Sequence, residues 1–209
     1  MVLTRIVFAP HEDDDVLACG GLILQSLAED INVLIVYMTD GRACYVVSKR
    51  DVGISPDQLA KIRKNEALEC SEELGVPISN LQFLEIYDQQ LSDPINFKTA
   101  LELVKTILRS YSTLEVFIPI DEPHPDHRST HFIIIQAVKE VGKAILIFQY
   151  GLYRPIVGKA DLKIKLSPEM LEQKIRAYEC HKSQKFIEVN DIIARNKEER
   201  FKLYRMESL

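Results

Sequence analysis

The chain has 209 residues, of which 46% are hydrophobic, and a formal net charge of −5. This length and apolar content suit one globular domain over residues 1–209, with no need for disulfides to stabilise its core. The negative charge, without any long run of Lys and Arg, argues against nucleic acid as a partner. No stretch approaches 18 uninterrupted apolar residues, which argues against a membrane span.

The first residues run directly into an apolar segment and lack the basic region and cleavage site of a secretory signal. We therefore expect a cytoplasmic protein. The four cysteines, Cys19, Cys44, Cys70 and Cys180, form no Cys-x-x-Cys pair, so we expect buried thiols and assign them no catalytic role.

Apolar runs rich in Val, Ile and Phe alternate with helical patterns along the chain. Strands are predicted at 4–9, 32–39, 81–86, 115–120 and 144–150, and helices at 16–29, 56–74, 97–110 and 128–142. Ser167-Pro168 predicts the start of a further helix, and the charged tail from about 189 to 205 is predicted to be helical. The alternation predicts an α/β fold with a Rossmann-like, mostly parallel sheet and helices on both faces.

The longest region without clear periodicity, residues 41–55, follows the second predicted strand. In open α/β sheets the ligand crevice lies beyond the carboxyl ends of the strands. The loop could therefore be a substrate lid, and an ordinary surface loop is an equally good interpretation.

Two clusters that contain both imidazole and carboxylate groups also follow predicted strands. His11-Glu12-Asp13-Asp14 comes after the first strand, and His124-Pro125-Asp126-His127 comes after the fourth. Zn²⁺ and other borderline divalent metals accept this ligand set when one position stays open for water. The first and fourth strands of such a sheet can be neighbours at the switch point, which would bring the two clusters together. The sequence therefore suggests a hydrolytic metal centre.

A simpler explanation covers part of the first cluster. Carboxylates are common at the N-terminus of a helix, where they cap it and interact favourably with its dipole. Asp13, Asp14 and Asp15 could have only this role. Capping does not explain His11 or the second cluster.

These residues resemble the PIG-L (LmbE-like) family of zinc-dependent N-acetylglucosaminyl deacetylases, whose motifs are His-Pro-Asp-Asp near the N-terminus and His-Pro-Asp-His further on. The second motif is complete at residues 124–127. The resemblance also includes Thr39-Asp40-Gly41, Arg63 with Glu66, Leu74-Gly75, Tyr87-Asp88 and Ser183-Gln184. The first motif departs from the pattern, because Glu12 replaces the usual Pro and Asp15 a usual Glu. The resemblance implies the PIG-L fold.

By motif position, the resemblance implies that His11, Asp14 and His127 bind the metal, which leaves a coordination position open. The ligand set accepts either Zn²⁺ or Fe²⁺. Neither departure from the motif removes a ligand. Glu12 could change the metal affinity, the metal or the substrate, or could simply face solvent.

The resemblance also implies roles in catalysis. Asp13 would be the general base, and His124 would stabilise the oxyanion formed from an amide carbonyl. Asp126 would orient His124 and keep it protonated. Arg63 is a weaker candidate for substrate contact, because a surface ion pair with Glu66 on the same helix would also explain it.

The expected activity is removal of the N-acetyl group from an N-acetylglucosamine-containing conjugate by a metal-activated water. The expected partner is thus a small amino-sugar conjugate, and homo-oligomers occur in the family. Two alternatives remain open: a metal-dependent phosphoesterase, and a non-catalytic sugar-binding module of the same fold. Nothing in the sequence identifies the group attached to the sugar.

Overall fold

A computed structural model describes residues 3–43, 54–184 and 197–205. The strands are β1 (Thr4–Ala9), β2 (Asn32–Thr39), β3 (Leu81–Ile86), β4 (Leu114–Pro119), β5 (Leu146–Tyr150), β6 (Leu162–Lys165) and β7 (Glu198–Leu203). The α-helices are α1 (Asp14–Ala28), α2 (Pro56–Leu74), α3 (Pro94–Arg109), α4 (Pro125–Val141) and α5 (Pro168–Glu179). Short 3₁₀ helices lie at Ile78–Asn80 and Lys182–Gln184.

In the described part of the chain, the strands form one sheet in the order β3-β2-β1-β4-β5-β7-β6. Strands β1 to β5 pair in parallel, and β7 runs antiparallel between β5 and β6. Because β1 pairs with both β2 and β4, the topological switch point lies between β1 and β4. The prediction of a Rossmann-like, mostly parallel sheet is confirmed.

Helices cover both faces of this sheet, as predicted. Helices α3 and α4 contribute Val104 and Ile134 to the core on one face. Helices α1, α2 and α5 contribute Ile23, Cys70 and Ala177 to the core on the other. Burial on both faces explains why the parallel strands are nearly continuous apolar runs. Among the described helices, none is both long and apolar enough to cross a bilayer.

The three cysteines in the described residues carry free thiols. Cys19 and Cys70 are buried, as expected, and burial raises the pKa of both thiols well above the usual value. Cys180 is only half-buried. Cys44 lies outside the described residues.

The prediction of a helical tail is wrong over Glu198–Leu203, which form β7. Phe201 is fully buried, with its ring centroid 5.3 Å from that of Phe117. The Glu199 carboxylate accepts hydrogen bonds from the Gly21 N–H at 2.7 Å and from Lys174 Nζ at 2.6 Å. These distant partners, rather than local helix propensity, determine the conformation of the segment. Strand β6 has no counterpart among the predicted strands, and residues 189–196 lie outside the described part.

The loops after β1 to β4 all leave the carboxyl edge of the sheet. The first carries the His11 cluster, the loops after β2 and β3 carry Gly41 and Asp88, and the fourth carries Glu122 and His124. Each strand pairs with the next in the order β3-β2-β1-β4, so these four loops are neighbours in space. The sheet therefore brings together residues that are far apart in the sequence.

Candidate metal centre

Asp14 contacts one histidine from each of the two clusters. Its Oδ2 lies 3.1 Å from Nδ1 of His11 and 3.2 Å from Nε2 of His127. The candidate ligand atoms of these three residues all lie within 4.8 Å of one another, and all three residues are buried. The structure thus brings together the three residues predicted to bind metal.

Asp14 is the first residue of α1, and Asp13 is the N-cap. The Asp13 side chain makes no capping hydrogen bond, and Asp14 Oδ2 accepts the backbone N–H of His11 at 2.9 Å. Capping of the helix therefore does not explain where these two carboxylates point. The remaining acid, Asp15, is fully buried and accepts a hydrogen bond from the Tyr37 hydroxyl at 3.0 Å.

The far nitrogen of each histidine faces further carboxylates. Nε2 of His11 lies 3.3 Å from Oδ1 of Asp88 and 3.4 Å from Oδ2 of Asp126. Nδ1 of His127 lies 2.9 Å from Oε2 of Glu122. A carboxylate on the far nitrogen fixes the tautomer and orientation of a metal-binding imidazole. Both histidines are thus arranged with one nitrogen available for an ion.

The electrostatics of the cluster also suit a cation. Burial alone would lower the pKa of His127, but Asp14 and Glu122 outweigh it and raise the pKa to about 9. Burial would also lower the pKa of His11, but hydrogen bonds that its ring donates to Asp126, Asp14 and Asp88 outweigh burial and raise the pKa. Nε2 of His127 is buried, and its 3.2 Å contact with Asp14 lacks the geometry of a hydrogen bond. Since metal binding replaces protons on such ligands, these residues fit a divalent ion.

Asp13 contacts Arg63 in the interior of the protein. Nη2 of Arg63 donates to Oδ1 of Asp13 at 2.9 Å, and Nη1 donates to the Gly41 carbonyl at 3.3 Å. Arg63 is only 3% exposed. The alternative of a surface ion pair with Glu66 is therefore wrong, since Glu66 is buried too.

Glu12, where the sequence departs from the motif, is 1% exposed. Its Oε2 lies 3.1 Å from Nε of Arg63, and burial raises its pKa to about 7. The interpretation that Glu12 faces solvent is wrong. Gly41 has a φ of +60°, and a Cβ there would overlap Glu12 Oε2 and the Arg63 guanidinium. Only glycine leaves room for this pair of charges.

Glu66 holds the 3₁₀ helix that follows α5. Its two carboxylate oxygens accept the Ser183 backbone N–H at 2.7 Å and the Ser183 hydroxyl at 2.6 Å. Arg63 and Glu66 lie on the same helix. The contact therefore links the segment after α5 to the helix that places Arg63 beside Asp13.

Ser183→Ala should lower the free energy of unfolding by about 1–3 kcal/mol, because it removes a hydrogen bond to a buried carboxylate. Urea denaturation followed by circular dichroism would measure the change. Ser167→Ala, which removes an N-cap of α5 further from the site, serves as a comparison for serine loss. No change in Ser183→Ala would contradict a structural role for the Glu66 contact.

His124 is the N-cap of α4, and its ring lies close to both metal-ligand candidates. Its centroid is 4.9 Å from that of His11 and 5.1 Å from that of His127. Burial and the two charged histidines lower its pKa. The structure thus places His124 beside the two histidines that are candidate metal ligands.

Asp126 contacts His124 through its backbone N–H and not, as expected, through its carboxylate. The backbone N–H of Asp126 donates to Nδ1 of His124 at 3.3 Å. Its carboxylate instead accepts the N–H groups of Gln89 at 2.7 Å and Leu91 at 3.3 Å, and faces His11. Since Nδ1 of His124 accepts a hydrogen bond, Nε2 carries the ring proton. Asp126 therefore holds the loop after β3 and His11, rather than His124, with its carboxylate.

The sequence predicts no role for three residues of the site. Asp88 belongs to the resemblance without an assigned role, and the sequence signal for Glu122 is its position just before a histidine motif. Tyr153 gives no sequence signal. Its ring is 62% exposed, and its centroid lies 5.9 Å from that of His124 and 5.1 Å from that of His127.

A cleft of about 330 Å³ borders Glu12, but His11, Asp14 and His127 are not among its lining residues. Its lining includes Glu12, Arg42, Lys64 and Tyr87, and the Arg42 guanidinium sits 3.6 Å from the centre of the Tyr87 ring. Aromatic and charged walls of this kind suit a polar organic ligand. The proposed lid falls largely outside the described residues, because the structure does not describe residues 44–53.

The fold and the cluster together define an α/β protein with a candidate mononuclear metal site at the switch point of a parallel sheet. The sequence profile of the GlcNAc-PI de-N-acetylase (PIG-L) family matches residues 6–138. The chain therefore belongs to the PIG-L family.

Two of the similar curated proteins and one similar solved structure have deacetylase names. The chain is 29% identical over 188 residues to the diacetylchitobiose deacetylase of Thermococcus kodakarensis, covering 88% of this chain but only 62% of that protein. It is 25% identical over 189 residues to the "Probable N-acetyl-alpha-D-glucosaminyl L-malate deacetylase 2" of Bacillus cereus, covering 86% of this chain and 82% of that protein. The solved N,N′-diacetylchitobiose deacetylase of Pyrococcus horikoshii superposes with a TM-score of 0.74 at 26% identity, over 96% of this chain and 83% of that chain.

Proposed function

We propose that this protein is a metal-dependent N-deacetylase that hydrolyses the acetamide of an N-acetylglucosamine-containing conjugate. The observation that carries the proposal is the convergence of His11, Asp14 and His127, with Asp13 next in sequence to one of them. The deacetylase relatives support the reaction type. The group attached to the sugar is left open, because the chain spans less than two thirds of the first relative.

His11, Asp14 and His127 would hold a divalent ion, and the ion would supply Lewis acidity and make water acidic enough to lose a proton near neutral pH. Zn²⁺ suits two imidazoles and one carboxylate, and Fe²⁺ suits them as well. The neighbouring carboxylates of Glu122 and Asp126 would hold the two imidazoles in the metal-binding tautomer.

Asp13 would take the proton of the attacking water while the water oxygen bonds to the acetamide carbon. The carbonyl oxygen becomes an oxyanion, and Nε2–H of His124 would donate to it. Asp13 would then protonate the amide nitrogen, so that the C–N bond breaks and the free amine and acetate leave. Arg63 would hold the Asp13 carboxylate through its 2.9 Å contact.

A phosphoesterase is the second candidate, since the same ligands can polarise a phosphoryl oxygen. Dinuclear phosphoesterases need carboxylates that bridge two ions, yet Asp13 is held by Arg63 and Asp15 by Tyr37. The arrangement thus favours a single ion. Phosphate release from simple phosphoesters without acetate release would reverse the preference.

Acetate release from N-acetylglucosamine conjugates should stop when the metal is removed with a chelator and return when Zn²⁺ or Fe²⁺ is added back. An enzyme-coupled acetate assay on a panel of conjugates measures both effects. His11→Ala, which lacks one ligand, should not recover on metal addition. Full activity in metal-free protein, shown by elemental analysis, would overturn the proposed function.

His124→Ala should lower kcat for acetate release by about 10²- to 10³-fold, because it removes a donor to the oxyanion. KM and bound metal should change little, since His124 is not one of the three ligands proposed above. His131→Ala is a matched control, because His131 lies on the same helix but binds the Pro119 carbonyl at 2.9 Å. A His124→Ala variant with wild-type kcat would remove His124 from the mechanism.

A further inference from the structure

The side chain of Glu122 contacts both His127 and the segment that follows β5. It is 1% exposed and lies between β4 and α4. One oxygen, Oε2, faces Nδ1 of His127 at 2.9 Å. The other, Oε1, accepts three successive backbone N–H groups, from Leu152, Tyr153 and Arg154, at 2.7, 2.8 and 3.1 Å.

The segment that supplies these N–H groups is a tight turn after β5. Three consecutive N–H groups that converge on one oxygen form a backbone anion site, which a carboxylate fills. Gly151 starts the turn, and a Cβ there would overlap the Arg154 carbonyl. The turn is thus wound closely around the Glu122 carboxylate, and a side chain at position 151 would prevent it.

This turn carries Tyr153 to the mouth of the metal centre. The Tyr153 ring is stacked on His124 at an interplanar angle of 9° and stands edge-on to His127. At 62% exposure the ring also presents a free surface. Aromatic faces of this kind are common walls of sites for organic ligands. Tyr153 therefore forms one wall of the space in front of the histidines.

We propose that Glu122 is a positioning residue that couples metal binding at His127 to the placement of Tyr153 as a substrate-facing wall. The coupling to substrate rests on the proposed deacetylase function, whereas the coupling to metal rests only on the ion proposed at His127. A carboxylate that orients His127 favours the tautomer with a free Nε2, and the same carboxylate holds the turn. An ion on His127 would make its Nδ1–H a stronger donor to Glu122. Because the Glu122 carboxylate also holds the turn, a change at His127 reaches Tyr153.

The test uses the fact that the chain has no Trp. Tyr153→Trp introduces a single fluorescent reporter at the turn. Zn²⁺ does not quench fluorescence through unpaired electrons, so Zn²⁺ titration of the metal-free protein should change the emission only through the surroundings of the new ring. We expect a saturable change whose midpoint agrees with the Zn²⁺ affinity measured independently by chelator competition.

Glu122→Gln in the Tyr153→Trp protein should weaken Zn²⁺ binding by about 10- to 100-fold and remove or reduce the emission change at saturation. If the amide oxygen accepts from the turn, its N–H group faces Nδ1 of His127 and favours the tautomer with a proton on Nε2. If the amide is reversed, its N–H group faces the N–H groups of the turn. Asp121→Asn is the matched control. Asp121 is the preceding carboxylate, but it pairs with Arg128 at the surface, so its loss should alter the Zn²⁺ affinity by less than about twofold.

Circular dichroism and thermal unfolding of the metal-free variants establish whether they are folded. Should Glu122→Gln not fold, Glu122→Asp keeps the charge but is one methylene shorter, and the same loss of affinity and emission change is expected. The proposal is overturned if a folded Glu122 variant binds Zn²⁺ with unchanged affinity. It is also overturned if Zn²⁺ does not change the emission of the Trp at position 153.

Tyr153→Ala tests the contact with substrate separately from metal binding. It should raise KM for the amino-sugar conjugate at unchanged Zn²⁺ affinity, and an unchanged KM would overturn the substrate-facing role. Acetate assays distinguish the two proposals. If acetate release is normal but Glu122 variants bind Zn²⁺ like the parent protein, only this inference is wrong. If Zn²⁺ changes the emission through Glu122 but no acetate is released, only the deacetylase function is wrong.

Discussion

Asp13→Asn should lower kcat for acetate release by about 10²- to 10⁴-fold, while the protein keeps its metal. The amide has nearly the same shape as the carboxylate, and it can still accept the Arg63 hydrogen bond through its oxygen. It cannot take a proton from water. The loss should therefore appear in kcat rather than in KM, and elemental analysis should find one ion per chain.

Asp14→Asn is the matched comparison, since it makes the same chemical change one residue later. Oδ2 of Asp14 faces both His11 and His127, so this variant should lose the metal itself. Activity of Asp14→Asn should recover in part at high metal concentration, whereas that of Asp13→Asn should not. If both variants lose metal equally, Asp13 is a ligand and the division of roles is wrong.

The sequence predicts the fold and the candidate site only in part. Periodicity in the apolar segments predicts the strands and their parallel pairing, because buried parallel strands are continuous apolar runs. The convergence of His11 with His127 follows from the neighbouring positions of β1 and β4 at the switch point. Both predictions depend on local patterns and on general rules of sheet topology.

What the sequence does not predict depends on tertiary contacts. Strand β7 is mostly charged, and it is a strand because Phe201 packs against Phe117 and Glu199 accepts hydrogen bonds from α1 and α5. Asp126 lies in the predicted motif, yet its carboxylate is directed to the loop after β3 by the N–H groups of Gln89 and Leu91. Spacing along the chain contains no information on such partners.

Glu12 shows the same limitation at the centre of the site. From sequence, a carboxylate in place of the family's proline could either face solvent or alter the site. The structure shows it almost completely buried, facing Arg63 at 3.1 Å. Arg63 thus lies between two carboxylates, Glu12 and Asp13, and a glycine at position 41 leaves room for it. A motif position that looks variable therefore contributes to holding the Asp13 carboxylate.

Arg63→Met should lower the free energy of unfolding by about 3–5 kcal/mol, because methionine fills a similar volume but leaves two carboxylates buried without their partner. Urea denaturation of metal-free protein, followed by circular dichroism, measures this. Arg176→Met is the matched control, since Arg176 pairs with Glu73 at the surface and its loss should cost less than about 1 kcal/mol.

Adding Glu12→Gln to Arg63→Met should restore part of the lost stability. Without Arg63, the buried Glu12 carboxyl must take up a proton when the protein folds, and the amide needs none. Glu12→Gln alone should be much milder, since Arg63 keeps Asp13 as a partner. The double variant should still release acetate slowly, because nothing then holds Asp13. A double variant no more stable than Arg63→Met would mean that Glu12 is not the charge Arg63 neutralises. The position of the Asp13 carboxylate would then depend on its contact with Arg63 and not on Glu12.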